Sequence, residues 1–333
     1  MAINLTPVAP KVSIIIPVYN LESLISRSIE CSINQTFTDI EIIIVNDGSA
    51  DNSEEVIAGY RAKDKRIKYI RKSNEGLTLA RKTGVEASSG DFIFHFDGDD
   101  TIPSDTIENL YRSAIKHGAD IVAGNILTCK PGEPEEEGRY ADFGVGTSIA
   151  FLEYILINKL HFLWGKLIKR SLYVAHNLIM VTETKVVPAE DQVQMYQLCM
   201  FASKVATISN NVYHYRINST SITQRPIKNE VFTSQQEIYA QVMTQLLQTF
   251  SYNTIICHQL NYRILLALYL ALHRTGHYVV HKKTSRLIMW RTILNSVFSK
   301  KTLLFKHGPL LARCTAVLIF PKAGFYFKDI FQQ

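Results

Sequence analysis

The chain has 333 residues, of which 47% are hydrophobic and 20% charged, and carries a net charge of +6. These are ordinary values for a globular protein, and the length predicts one large domain with an appendage. Five dispersed cysteines (Cys31, Cys129, Cys199, Cys257, Cys314) have no CxxC and no metal-type spacing. They predict free thiols in a reducing compartment.

Met1 to Pro10 lacks the basic start and long apolar core of a signal peptide, so none is expected. Val12 to Pro17 is a short, β-branched apolar run that predicts a strand. Leu21 to Ile33 has helical spacing, with Leu24, Ile25, Ser28, Ile29 and Ser32 along one side. Ile40 to Val45 predicts a second strand and runs into the turn-rich Asn46-Asp47-Gly48-Ser49. A helix over Ser53 to Lys63, a strand over Ile67 to Ile70 and a helix over Leu77 to Ala87 follow. Asp91 to Phe96 predicts a strand, Asp105 to His117 a helix, and Asp120 to Ala123 a strand. This alternation implies βαβ units and a mostly parallel α/β sheet covered by helices on both faces.

Beyond that point the pattern is looser. Lys130 to Gly138 (KPGEPEEEG) reads as a surface loop or flap. Ala150 to Asn158 and His161 to Tyr173 predict helix or mixed structure. Ala189 to Phe201 predicts a helix starting near Pro188, which suits a first-turn position. Thr207 to Arg216 reads as strand or extended chain, and the sequence from Asn229 onward reads as mostly helical.

Ligands of open parallel sheets bind beyond the carboxyl ends of the strands. Three polar segments fall at such ends: Tyr19-Asn20, Asn46-Asp47-Gly48-Ser49 and Asp97-Gly98-Asp99-Asp100. The last puts three carboxylates in four residues, where like charges repel unless something positive is present. A divalent cation carrying a phosphorylated ligand would supply that charge. Otherwise Asp99 and Asp100 cap the helix that begins after Pro103. The sequence has no GxxxxGK[ST] loop and no GxGxxG after the first strand, so the glycine cradle for ATP or a dinucleotide is missing. Asp47 either meets a ligand's N–H or ribose hydroxyls or forms an Asx-turn or cap. Arg81, on a helix aimed at the same edge, either meets a diphosphate or makes a surface ion pair.

Val12-Ser13-Ile14-Ile15-Ile16-Pro17-Val18-Tyr19-Asn20, Asn34-Gln35-Thr36-Phe37, Asn46-Asp47-Gly48-Ser49-Ala50-Asp51, Asn74-Glu75-Gly76 with Ala80-Arg81, and Asp97-Gly98-Asp99-Asp100 occur in that order. The ordered set resembles the family 2 glycosyltransferases of GT-A fold, of the kind that build bacterial surface polysaccharides. The likeness is strong over residues 10 to 125 and looser over 160 to 223. Lys82 departs from the Asn that the family often carries after Ala-Arg, which touches local contacts only.

The resemblance implies a GT-A domain over 1–225, with a nucleotide-sugar half at 10–125 and an acceptor half at 126–225. It is followed by a helical basic region at 226–333. Pro17, Tyr19 and Asp47 would line the nucleotide base pocket, with Arg81 near base and diphosphate. Asp97 would approach ribose and metal, and Asp99 would ligate Mn2+ or Mg2+ in the family's DXD motif. Asp191 would be the general base of an inverting transfer, beside Glu190; without the resemblance, this acidic pair reads as decoration of a helix N-terminus. Phe162 to Leu167 resembles an acceptor-side segment, in which Trp164 stacks on a sugar face or is a core residue, with Lys166 alongside. In Tyr213-His214-Tyr215-Arg216, His214 would complete the metal shell or is structural, and Arg216 would clamp the diphosphate. The expected donor is a nucleotide-sugar, UDP-linked, and the acceptor a glycan or lipid-linked glycan. A nucleotidyltransferase would carry a glycine- and lysine-rich loop where Pro17-Val18-Tyr19-Asn20 stands. A noncatalytic scaffold would tolerate loss of the carboxylates, all of which are present.

Charge is polarised along the chain. Ile264 to Gln333 holds eleven Lys/Arg and one acid, Asp329, so a charge of +10 there faces −4 in the remainder. Leu287-Ile288-Met289-Trp290 and Phe325-Tyr326-Phe327 have the character of headgroup anchors, while the apolar stretches fall short of the ~20 residues that span a bilayer. The expected partner is an anionic membrane surface, the alternative a helical subdomain with a solvated basic face. No nucleic-acid motif accompanies the charge. The expected place is the cytoplasm, peripheral on the inner face of the cytoplasmic membrane.

Overall fold

The computed structural model describes residues 9–130, 136–138, 143–176, 178, 190–217 and 243–244. The chain divides into two compact units, residues 1–186 with 190–224, and 187–189 with 225–333. The basic tail from 264 to 333 lies outside the described residues, as do Pro188, Ala189 and, apart from 243–244, the helical reading from Asn229 onward.

The first unit is built on a sheet of β1 (Val12–Val18), β2 (Ile40–Asp47), β3 (Ile67–Lys72), β4 (Phe92–His95), β5 (Ile121–Cys129), β6 (Glu136–Gly138), β7 (Val145–Thr147), β8 (Lys166–Lys169) and β9 (Lys204–Arg216), in the order β3-β2-β1-β4-β8-β5-β9-β7, with β6 pairing β5. Strands β1, β2, β3 and β4 run parallel. Every residue of β1 and β2 is buried. Continuous Ile/Val runs are what strands covered on both faces require. Helices α1 (Ile25–Ile33), α2 (Ser53–Arg61), α3 (Leu77–Ala87) and α4 (Thr106–His117) supply the cover. α4 buries Thr106, Ile107, Leu110, Ser113 and Ala114, one stripe of a 3.6-residue period, and ends at Gly118 with φ of 58°.

The chain moves from β1 outward to β2 and β3 and then returns to the other side of β1 as β4. A topological switch point therefore lies between β1 and β4, where such sheets form ligand crevices.

The second half departs from simple alternation. β5 (Ile121–Cys129) runs parallel to β9 (Lys204–Arg216), but β8 (Lys166–Lys169) lies antiparallel between β4 and β5. The expected helix or mixed structure over His161 to Tyr173 is thus a strand followed by the short α6 (Ser171–Val174). Within the stretch read as a loop, Glu136–Gly138 forms β6 against β5. β7 (Val145–Thr147) closes the edge, followed by α5 (Ser148–Asn158), and α7 (Glu190–Phe201) precedes β9. The α/β, mostly parallel architecture expected from the sequence is the one observed. Among the described residues no helix is long and apolar enough to cross a membrane.

Candidate active site

The three polar segments meet at the carboxyl ends of β1, β2 and β4. The Asn20 N–H donates to Ser49 Oγ at 3.0 Å, and the Ala50 N–H donates to Asn20 Oδ1 at 2.8 Å. Within the second segment the Ser49 N–H donates to Asn46 Oδ1 at 2.8 Å. The acidic turn is drawn onto this rim by backbone contact. Gly98 sits so close to β1 that an added Cβ would lie 2.7 Å from Leu21 Cδ1 and 3.2 Å from the Pro17 carbonyl. Its own carbonyl accepts from Ser28 Oγ at 3.0 Å. A side chain there would press on Leu21 and the Pro17 carbonyl, which favours glycine between the carboxylates.

Pro17 is buried in β1, whereas Tyr19, just past the strand, is 43% exposed. Asp47 is buried at the end of β2. Its two oxygens accept from the Glu75 N–H at 3.0 Å and the Gly76 N–H at 2.8 Å. That grip fixes the start of α3, the helix that carries Arg81.

Arg81 is the centre of the site. It is 1% exposed, which removes the alternative of a surface ion pair. Its Nη2 donates to Asp97 Oδ1 at 2.8 Å, and its Nη1 donates to Asp191 Oδ1 at 2.6 Å. Glu190 Oε1 lies 3.5 Å from the same Nη1. Burial alone would lower the pKa of this guanidinium, but Asp191, then Asp97 and Glu190, outweigh it and raise it. Burial, then the charge of Asp191, pushes Glu190 up to about 8, against the pull of Arg81. Burial likewise raises Asp191, again opposed by Arg81. Behind the guanidinium, His95 Nε2 lies 2.9 Å from the Tyr173 hydroxyl. Burial first, and Arg81 second, hold His95 down at about 3, so it is neutral.

The other two carboxylates of the turn separate. Asp99 is half-buried on the rim. Asp100 is buried, and its Oδ2 accepts from the Tyr213 hydroxyl at 2.8 Å while its Oδ1 accepts from the Arg216 N–H at 2.8 Å. The Tyr213 oxygen in turn accepts from the Asp97 N–H at 3.1 Å. Burial, then Asp97 and Asp99, pushes Asp100 up to about 8. Thr101 and His214 form an antiparallel bridge, with the His214 N–H donating to the Thr101 carbonyl at 2.9 Å. The end of β9 is thereby tied beside the acidic turn, and the exposed Arg216 side chain reaches Thr101 Oγ1 at 3.4 Å.

Two residues named for the acceptor side are buried, and for Trp164 the core alternative is the one observed. Trp164 is 5% exposed and stacks on Phe162 (4.4 Å between centroids), Tyr213 (4.6 Å) and Tyr215 (5.3 Å). It is a core ring that supports β9, not a free platform for a sugar. Lys166 is fully buried, donates to the Phe162 carbonyl at 2.5 Å, and is held down at about 7 by burial, against the opposing field of Asp191. Tyr213 and Asp100 gained roles that the sequence did not assign. The available signal was the alternation in β9 that turns Tyr213 and Tyr215 to one face. A cleft of about 610 Å3 lies at the opposite end of the sheet, lined by Gly90, Phe92, Ala114, Gly118, Lys169 and Arg170, and holds none of these residues.

This chain is 35% identical over 237 residues to EpsH, a Bacillus subtilis protein named as a glycosyltransferase, covering 69% of the chain and 67% of EpsH. The family model described as glycosyl transferase family 2 matches residues 13–173. The protein is a family 2 glycosyltransferase. The chain spans 32% and 64% of the length of two further curated relatives. Among solved structures, residues 1–349 of S. aureus TarS in complex with UDP-GlcNAc align with a TM-score of 0.67 at 18% identity, over 92% of this chain and 87% of that one. The mannosyltransferase PcManGT from Pyrobaculum calidifontis, in complex with GDP-Man and Mn2+, aligns with a TM-score of 0.53 at 13% identity, over 94% of this chain and 88% of that one. The fold of this glycosyltransferase is GT-A.

Proposed function

We propose that the enzyme transfers a sugar, with inversion, from a UDP-linked donor to a hydroxyl of a glycan or lipid-linked glycan, with Asp191 as general base. The observation that carries this reading is the convergence of Asp97, from the end of β4, and Asp191, from the start of α7, on one buried guanidinium. On this reading a donor-side and an acceptor-side carboxylate would share one site.

Asp191 would accept the proton of the acceptor hydroxyl as that oxygen bonds the anomeric carbon. The bond from that carbon to the diphosphate oxygen breaks, and the nucleoside diphosphate leaves with the electron pair. Burial raises the basicity of the Asp191 carboxylate, which suits it to the task. A single base opposite the leaving group suits direct displacement. Pro17, Tyr19 and Asp47 are assigned to the nucleoside, Arg216 to the diphosphate and Glu190 to the acceptor side. Arg81 acts on the diphosphate side through Asp97.

Among the described residues no group of three or more His, Cys, Asp or Glu is arranged to hold an ion alone. Asp97 and Asp99 still fit Mn2+ or Mg2+, which with nucleotides takes one or two carboxylates and leaves its other positions to phosphate and water. His214 is assigned to the same shell, from its place beside the turn. When bound, the ion offsets charge on the departing diphosphate. The UDP-GlcNAc complex of TarS and the GDP-Man and Mn2+ complex of PcManGT support a nucleotide-sugar and a divalent ion here.

Asp191→Asn is expected to lower kcat by about 10²–10⁴-fold, with calorimetric UDP affinity kept within about tenfold. Transfer at the native rate would remove Asp191 as the base. Residues 1–225 are assigned to catalysis and 226–333 to an anionic membrane surface on the cytoplasmic side, on the strength of the +10 charge over 264–333. The chain should co-sediment with vesicles rich in anionic lipid and be released by salt; equal partition to neutral vesicles would count against the assignment.

A further inference from the structure

Arg81 is shared between carboxylates that the proposed reaction uses at different moments. Its Nη2 holds Asp97 at 2.8 Å, its Nη1 holds Asp191 at 2.6 Å, and Glu190 stands 3.5 Å away. A guanidinium is a rigid planar fork, so it approaches one partner only by receding from the other or by turning both contacts. The fork is also held from behind. Gly84, one turn along α3, approaches β1 so closely that an added Cβ would lie 2.3 Å from Ile15 Cγ2. His95 and Tyr173 fill the space near it as a neutral, hydrogen-bonded pair. The positive charge of Arg81 is therefore divided among the three carboxylates rather than spent on these neighbours.

We infer that Arg81 is a positioning residue that couples the donor half of the site to the base, so that charge lost at Asp191 is felt at Asp97. The inference rests on the assignment of Asp97 to the donor and Asp191 to the acceptor proton. With Asp191 neutral, Arg81 closes on Asp97 and competes for the oxygen that would face the cation and diphosphate. Nucleotide affinity then falls although Asp191 does not touch the nucleotide. Coupling free energies are reciprocal, so a filled donor site returns Arg81 to Asp191 and holds that carboxylate ionised for the acceptor.

A direct field from Asp191 would change nucleotide affinity with the opposite sign, because neutralising a carboxylate relieves repulsion on the diphosphate, and a double-mutant cycle separates the two effects. The full chain is titrated with UDP by calorimetry in saturating manganese chloride, as the native form, Asp191→Asn, Arg81→Lys and the double variant. The coupling predicts that Asp191→Asn weakens UDP about three- to tenfold in the native background and less than about twofold beside Lys at position 81. An equal shift in both backgrounds, or none in the native one, overturns it. Should Arg81→Lys lose the native circular-dichroism spectrum, the charge-balanced Arg81→Gln/Glu190→Gln background carries the same comparison. Failure of the native chain to bind UDP overturns the donor assignment and the coupling with it. Native-rate transfer by Asp191→Asn overturns the base alone, and the calorimetric cycle still decides the coupling.

Discussion

The two ends of the parallel sheet handle buried charge in opposite ways. At the amino ends of the strands, Glu41 Oε1 accepts from Ser13 Oγ at 2.6 Å, the Ser89 N–H at 2.6 Å, Ser89 Oγ at 2.9 Å and the Gly90 N–H at 3.2 Å. Its other oxygen meets Lys68 Nζ at 2.5 Å. Burial would raise this carboxyl, yet Lys68 and the hydroxyl and amide donors hold it below the usual range. At the carboxyl ends, Asp97, Glu190 and Asp191 divide one guanidinium, and Glu190, Asp191 and Asp100 are all raised. Buried charges that are fully paired hold a structure together, and those left under-compensated cost stability. The second kind persists where an arriving ligand completes the pairing. The contrast is what the proposed division into scaffold and site rests on.

The largest effect that tests this contrast is expected at the rim of the acidic turn. Asp99→Ala should lower manganese-dependent UDP affinity at least tenfold, about the cost of losing a metal-site contact, while the melting temperature holds or rises. Calorimetry with and without manganese reads both. Unchanged affinity would sink Asp99 as a metal ligand.

A smaller effect is expected at Lys166, a buried amine that feels the field of Asp191. Its folded pKa of about 7 lies below the 10.5 of an ordinary lysine, and burial is the cause. Between those values the unfolded chain binds a proton that the folded chain does not, so stability rises with pH across the window. Thermal unfolding between pH 7 and 10 should show that rise in the native chain and a flatter profile in Lys166→Met. Parallel profiles would mean that Lys166 keeps its charge in the fold.

What the sequence disclosed follows the range of the forces involved. Strands β1 and β2 are contiguous β-branched runs, and their pairing with helices repeats at short intervals, so the α/β order was legible. The three polar segments were legible as one site because parallel topology fixes which strand ends coincide. β8 was not, since Lys166-Leu167-Ile168-Lys169 is four residues long and owes its place to partners on β4 and β5. Arg81 reads locally as a surface residue on α3, and the carboxylates that make its burial tolerable include Asp191, 110 positions later, beside Asp97 and Glu190. Asp100 was set apart from Asp97 and Asp99 in the sequence, but the partners that hold it, Tyr213 and the Arg216 N–H, lie more than a hundred positions later. The choice between sugar and core for Trp164 stayed open, because an aromatic in a polar segment looks alike in either place, and its burial against Phe162, Tyr213 and Tyr215 depends on distant chain.

The smallest effect concerns the scaffold end and is the control on the whole contrast. Glu41→Gln keeps an acceptor for the Ser13 and Ser89 groups but removes the charge that strengthens those bonds and the partner of Lys68. Charge-assisted hydrogen bonds exceed neutral ones by about 1–2 kcal/mol, which sets the expected loss of stability in denaturant unfolding. Because Glu41 lies at the amino end of β2, the carboxyl-end cluster is untouched and kcat should stay within about twofold. A variant with native stability and a kcat lowered tenfold or more would mean that the two ends communicate, and the division into scaffold and site would fail.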